Sequence, residues 1–204
     1  MTTFTKTTIC NMTLSHCGIA TYISDIETDN SNEAIQCRLW YEPCRDMLLE
    51  MTPWSFAERE VALSNLGDPP DAWGYRYLYP NNFKRINHIV DPYQRVPKTV
   101  EDKIPYKIQD YPDNAGKIIL CDVEDAIING NYWVTNEGLF TATYAQMLSL
   151  FIATNVVTPL RVDANIAARI DKKWATWLSE AQVQSKAERQ DDPLPDSEYV
   201  TARG

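Results

Sequence analysis

The hydrophobic pattern of this chain changes its period twice, and that change limits the folds open to it more than any single motif does. Ala34, Cys37, Tyr41, Cys44 and Leu48 recur at alternating spacings of three and four, with Trp40, Met47 and Met51 widening the stripe. A stripe of that width predicts a helix buried along a broad face. Asn30 with Glu33 three residues later predicts its cap, with the helix beginning near Ser31. Pro43 lies inside the pattern. Proline has no amide donor and disfavours helical backbone at the residue before it, so a kink is expected at Pro43, or a restart with Pro43 in the first turn. Pro53 marks where the helix has ended.

A shorter helix is predicted upstream, over residues 7–17, with Ile9, Met12, Thr13 and His16 on one face and Gly18 placed as a C-terminal cap. From residue 54 to about 132 the period falls to two, and short alternating runs are separated by Pro69-Pro70, Pro80-Asn81-Asn82 and Asp113-Asn114. The expected strands are 54–63, 74–79, 85–90, 105–109, 117–121 and 126–134. Asn129-Gly130 reads either as a hairpin turn or as a bulge in the last of them. The helical period returns over 140–157 with Tyr144, Met147, Leu148, Phe151 and Ile152, and Thr158-Pro159 ends it. A second long helix is expected from about 163, carrying Ile166, Ile170, Trp174, Trp177, Leu178 and Ala181.

The order helices, strands, helices predicts an α+β fold. Two N-terminal and two C-terminal helices, about four in all, form a bundle from 1–53 and 138–190, with a small antiparallel sheet inserted over 54–137. Residues 191–204 have Pro193, Pro195 and several charges but little to bury, which predicts an extended C-terminal arm. At 204 residues the chain suits one domain, or one with an extension, and needs no disulfide or metal staple.

Composition narrows the function classes. Nineteen Lys and Arg against 28 Asp and Glu give a net charge of -9, which opposes generic binding to phosphate backbones. No window approaches a membrane span, and the start MTTFTKTTIC has neither a charged region nor an apolar one of the secretory kind, so no leader and no membrane contact are expected. The five cysteines are odd in number and include no CxxC, which predicts reduced thiols. Cys10 and Cys17, like Cys37 and Cys44, lie seven apart, so each pair shares a helix face and reads as core; a zinc site from these four is the alternative.

Nothing in the chain has the spacing of a catalytic set, and the expectation is no enzyme, no catalytic residue, no cofactor and no metal. Ser15 and His16 are adjacent, so on a helix they point about 100° apart and cannot pair. Gly-rich phosphate loops are absent, and Gly116-Lys117 precedes a strand. Carboxylate pairs such as Glu58/Glu60 and Glu124/Asp125 are expected by chance among 28 acids. Trp54, Trp174 and Trp177 could form a stacking platform, but tryptophan at helical spacing reads first as core.

One long stretch carries a resemblance. Leu14-Ser15-His16-Cys17-Gly18 is followed by Ala34, Cys37, Tyr41, Pro43, Arg45, Asp46, Leu48 and Leu49, then by Pro53, Trp54, Phe56 and Ala57. This order resembles the opening of the phage head-to-tail adaptor family, which includes the tail tubular protein A group. Gly74-Tyr75-Arg76-Tyr77-Leu78-Tyr79-Pro80, Lys84-Arg85-Ile86, the helix around Tyr144 and the ending Pro195 to Arg203 are similar to later family segments. In the motif, Tyr41, Pro43, Arg45, Asp46, Leu48, Pro53, Trp54 and Phe56 have structural roles.

The resemblance implies a ring of about twelve copies, closed by side-to-side contacts, between the portal protein and the tail nozzle or tube of a virion. It implies assembly in the host cytoplasm, DNA only in passage through the lumen, and a C-terminal arm that folds against the portal through Pro195, Glu198, Tyr199, Val200 and Arg203. An acidic lumen would let the genome slide without sticking. A head-tail completion protein of a long-tailed phage is the alternative of the same class. A tail-associated polysaccharide-degrading enzyme is the alternative of another class, and it requires a pocketed carboxylate pair.

Overall fold

The computed structural model describes residues 4–69, 72–93, 103–111 and 116–187, the stretch 181–187 as backbone only. It is a mixed α+β structure of four helices and two three-stranded antiparallel sheets. The chain divides into two compact units, one from Met1–Phe56 with Trp133–Lys186, the other holding Ala57–Tyr132. The arm residues Pro195, Glu198, Tyr199, Val200 and Arg203 lie outside the described residues, and so does the side chain of Ala181.

Helix α1 spans Lys6–His16, one residue from the expected bounds. Thr5 caps it by accepting the Thr8 amide. At the other end Gly18, at φ +72°, lets its own amide reach the Ser15 carbonyl and the Ile19 amide reach Leu14, the paired bonds that close a helix on a left-handed residue. Cys10 is in the core as expected, but the buried face is wider than the expected stripe: Leu14 is buried too, while Met12 and His16 are only half-buried. The cause is packing on two neighbours, since α1 meets both α2 and α3 and so buries a wider arc than a single stripe.

Helix α2 is one continuous element, Asn32–Met51, capped by Ser31 rather than Asn30. The Asp29 carboxylate accepts the Ser31 amide at 2.8 Å, a local turn that leaves Ser31 extended and its hydroxyl facing the Ala34 amide. The helix does not restart at Pro43. Proline is tolerated here because the carbonyl it leaves without a helical donor belongs to Leu39, which is exposed to water. Ala34, Cys37, Tyr41, Cys44 and Leu48 are buried as expected, but Met47 is on the solvent side.

Helix α3, Ala142–Val156, is buried nearly all round between α1 and α2. Helix α4 covers Ala164–Ala187; Ile170 is buried, and Trp174 stacks on Phe151 of α3 at 4.5 Å between ring centroids and 7° between planes.

In the second unit the strands are β1 (Glu58–Ala62), β2 (Tyr75–Leu78), β3 (Phe83–Val90), β4 (Tyr106–Asp110), β5 (Lys117–Cys121) and β6 (Ile127–Tyr132). The expected positions hold, but the single expected sheet is two, ordered β1-β6-β3 and β2-β5-β4. Alternation marks strands without naming their partners. Here the chain after β1 leaves the first sheet and bonds to β2, through the Leu66 amide to the Arg76 carbonyl and the Leu78 amide to the Ser64 carbonyl. Tyr77, Phe83, Ile86, Ile89, Ile119, Cys121, Ala126 and Ile128 form the unit's core.

The expected strand at 54–63 begins later than the pattern suggests, because Ser55–Ala57 form a turn of 3-10 helix. Asn129-Gly130 is not a turn; both residues sit inside β6, and the bulges are on the facing strand β3, at Lys84 and Asn87. Gly130 lies so close to β3 that a Cβ there would stand 2.3 Å from the Arg85 carbonyl oxygen.

Candidate functional site

The motif residues Tyr41 to Phe56 lie in the second half of α2 and the turn after it, and the fold brings most of them onto one network. Tyr41 is buried and donates its hydroxyl to the Glu137 carboxylate at 3.2 Å. Burial, then the neighbouring Glu137 charge, pushes its phenol well above the usual range, so the ring is a neutral donor. One turn on, Arg45 donates through both Nε and Nη2 to one Asp46 oxygen, each at 2.9 Å. Adjacent helical residues do not normally face each other. Arg45 reaches its neighbour because its guanidinium is folded inward beneath the Trp133 ring, 5.7 Å from the centroid, and Trp133 Nε1 donates to the same Asp46 oxygen at 3.0 Å.

The backbone of that turn is held as well. Tyr144 donates its buried hydroxyl to the Arg45 carbonyl at 2.9 Å, and Trp54 Nε1 donates to the Leu48 carbonyl at 2.8 Å. Trp54 and Phe56 meet Tyr144 edge-on at 5.0 and 4.9 Å, and Phe140 closes the group at 4.7 Å from Tyr144. Leu48 is fully buried, Pro53 half-buried and Pro43 exposed. Trp54 and Phe56 thus precede β1 and do not belong to it. They fold back and seal the end of α2 against α3.

This arrangement holds the second half of α2 against α3. Its one buried charge is paired, and breaking such a pair would leave Arg45 uncompensated. Two members were not marked by sequence spacing: Trp133 and Glu137. The run at 126–134 made Trp133 one more strand residue, and no periodicity relates position 46 to position 133.

His16 makes a second polar contact worth testing against catalysis. It does not meet Ser15; its Nε2 lies 3.2 Å from the Ser149 hydroxyl of α3. That hydroxyl donates to the Gln146 carbonyl at 2.8 Å, so His16 is the donor to Ser149 Oγ and cannot act as its base. Ser149 is fully buried, which leaves a substrate no approach. Burial, aided by Lys173 of α4, lowers the imidazole from the ordinary 6.5 to about 4.

The unfolded chain therefore takes up this proton first as pH falls. His16 takes nothing from stability above about pH 6.5 and takes progressively more from there down to about pH 4. Allowing for solvent screening of a half-exposed group, the loss is on the order of 1–2 kcal/mol. His16→Gln keeps a donor toward Ser149 and is expected to flatten that part of the stability–pH profile in urea titrations; an unchanged acid slope would exclude His16 as its source.

The remaining candidates are dispersed. Trp174 is stacked on Phe151, and Lys173 lies over Trp177 at 5.5 Å, so neither ring stands as an open platform. Glu60, Glu124 and Asp125 are exposed to solvent. All five cysteines are free and buried, with Cys10 and Cys37 at zero exposure on facing helices. Among the described residues no group of His, Cys, Asp or Glu is placed to hold a metal ion, and no helix is long and apolar enough to cross a membrane. No protein-family model and no curated protein matches this chain.

Proposed function

We propose that this chain is a structural adaptor of a phage virion, a ring subunit between the portal and the tail nozzle or tube. The observation that carries the reading is the network around Arg45, Asp46, Trp54 and Tyr144: the residues of the family-like stretch hold one another in place and present no reacting group. A subunit that transmits position needs a rigid body more than a pocket. In this reading the four helices form the bundle that gives the subunit its body. The sheets are an insertion offered to the next tail component, and residues 191–204 form an arm that folds on the portal through Tyr199, Val200 and Arg203. The net charge of -9 suits a wall that DNA slides past.

Electron microscopy of the protein mixed with its portal tests this. A ring seated on the portal is the expected result, lost when residues 191–204 are deleted. A full-length chain that forms no ring on the portal at any salt or concentration would overturn the reading.

A further inference from the structure

The inward face of α2 is taken up by α1 and α3, but its outward face is unusually apolar. Ile35, Leu39, Pro43 and Met47 follow one another every fourth residue, and Ile35, Leu39 and Met47 are 45%, 61% and 47% exposed. The exposed charges beside this stripe are acidic, with the neutral Asn32 and Gln36 amides on the same face. Glu42 and Glu50 flank the stripe as exposed carboxylates, and Pro43 has no amide to give the Leu39 carbonyl at its centre. A partner that fits must bring apolar surface edged with cationic donors.

A cationic stretch of α4 has that chemistry, although Asp171 and Glu180 are exposed on the same helix. Arg169, Lys172 and Lys173 are exposed, none of them takes part in an ion pair among the described residues, and Lys173 lies along the half-buried Trp177 ring. At about 1.5 Å per residue, the 20-residue α2 and 24-residue α4 are about 30 and 36 Å long, so the two can lie along each other.

We propose that the outward face of α2 docks on the outward face of α4 of a second copy of this chain. Pairing α2 with another α2 would bring the acidic edges together, whereas α2 on α4 sets the Glu42 and Glu50 carboxylates against cations that form no ion pair among the described residues. Because the two faces differ, the contact is head-to-tail and repeats, closing into a ring or running on as a filament. Four side chains cover well under the roughly 800 Å² per partner of a stable pair, so the contact is weak singly and holds by repetition and charge. The adaptor reading requires only that copies meet; this names the faces.

Sedimentation velocity of the full chain without portal, in about 50 mM salt where screening is modest, tests the contact. Wild type should associate with rising concentration and dissociate as salt is raised. Glu42→Lys and Lys173→Glu, both at exposed positions, should each weaken association about tenfold, the effect of turning one attraction into a repulsion. Their equimolar mixture should restore it, because alternating copies then place lysine against glutamate at every contact. Unchanged melting curves for the two variants check that each is folded, and Glu42→Gln with Lys173→Gln replace them if either is not. A wild type that stays monomeric, or a mixture that associates no better than either variant alone, overturns the proposal. A monomer in solution that still forms a ring on the portal would end this contact and leave the adaptor reading standing.

Discussion

Replacing Trp54 by alanine is expected to lower the unfolding free energy by about 3–5 kcal/mol, the cost of removing a large buried aromatic and leaving its cavity. Trp54 is 5% exposed, and three partners depend on it: the Tyr144 ring at 5.0 Å, the Phe56 ring at 6.2 Å and the Leu48 carbonyl at 2.8 Å. The contributions separate in a series. Trp54→Phe keeps an aromatic edge toward Tyr144 but leaves the Leu48 carbonyl without its donor, and should cost about 1–3 kcal/mol. Tyr144→Phe removes the hydroxyl from the Arg45 carbonyl and should cost a similar amount. If the network is coupled, Trp54→Phe with Tyr144→Phe will depart from the sum of the singles, because both hydroxyl and indole act on one turn of α2. Urea denaturation read by far-UV circular dichroism checks all four proteins without relying on Trp54 fluorescence. A loss below about 1 kcal/mol for Trp54→Ala would mean the aromatic group is not a packed unit.

What the sequence made legible follows from where its signals are local. Helix periods, the Gly18 cap and the strand positions depend on neighbours within a few residues, and they emerged close to the structure, the largest displacement being the start of the first strand, expected at 54 and found at Glu58. The cap of α2 was displaced by one residue because Asn30 and Ser31 are both good caps, and the choice fell to an aspartate turn that no capping pattern includes. Partnership was not legible. Alternation could not tell that β5 joins β2 and β4 while β6 joins β1 and β3, since Ile118, Ile119, Leu120 and Cys121 are buried on both faces and carry no register. The candidate site divides in the same way. Arg45, Asp46 and Trp54 were marked by a resemblance, but Trp133 and Glu137 joined them through tertiary contacts 87 and 96 residues apart in sequence.

The sheet unit has its own sensitive point, and it lies at a residue whose side chain is absent. At Gly130 a methyl group would meet the Arg85 carbonyl oxygen at 2.3 Å, Phe83 Cδ1 at 3.0 Å and Ile86 Cα at 3.2 Å. Two of those three atoms are backbone, held in the β3–β6 ladder, so the strands must separate to admit it. The β3 bulges at Lys84 and Asn87 bracket this position, which brings Arg85 and Ile86 in over Gly130. Gly130→Ala is expected to cost about 2–4 kcal/mol, more than ordinary overpacking because no flexible side chain can yield, and Gly130→Val more still. Gly74 is the matched comparison. A Cβ there meets nothing closer than 3.5 Å, and its amide bond to Asp122 survives the change, so Gly74→Ala should stay within about 0.5 kcal/mol of wild type. Hydrogen exchange would localise the effect: the amides of β3 and β6 should lose protection in Gly130→Ala, while those of α1 and α3 keep theirs. Equal costs for the two glycine substitutions would mean that β3 and β6 do not approach as closely as this structure has them.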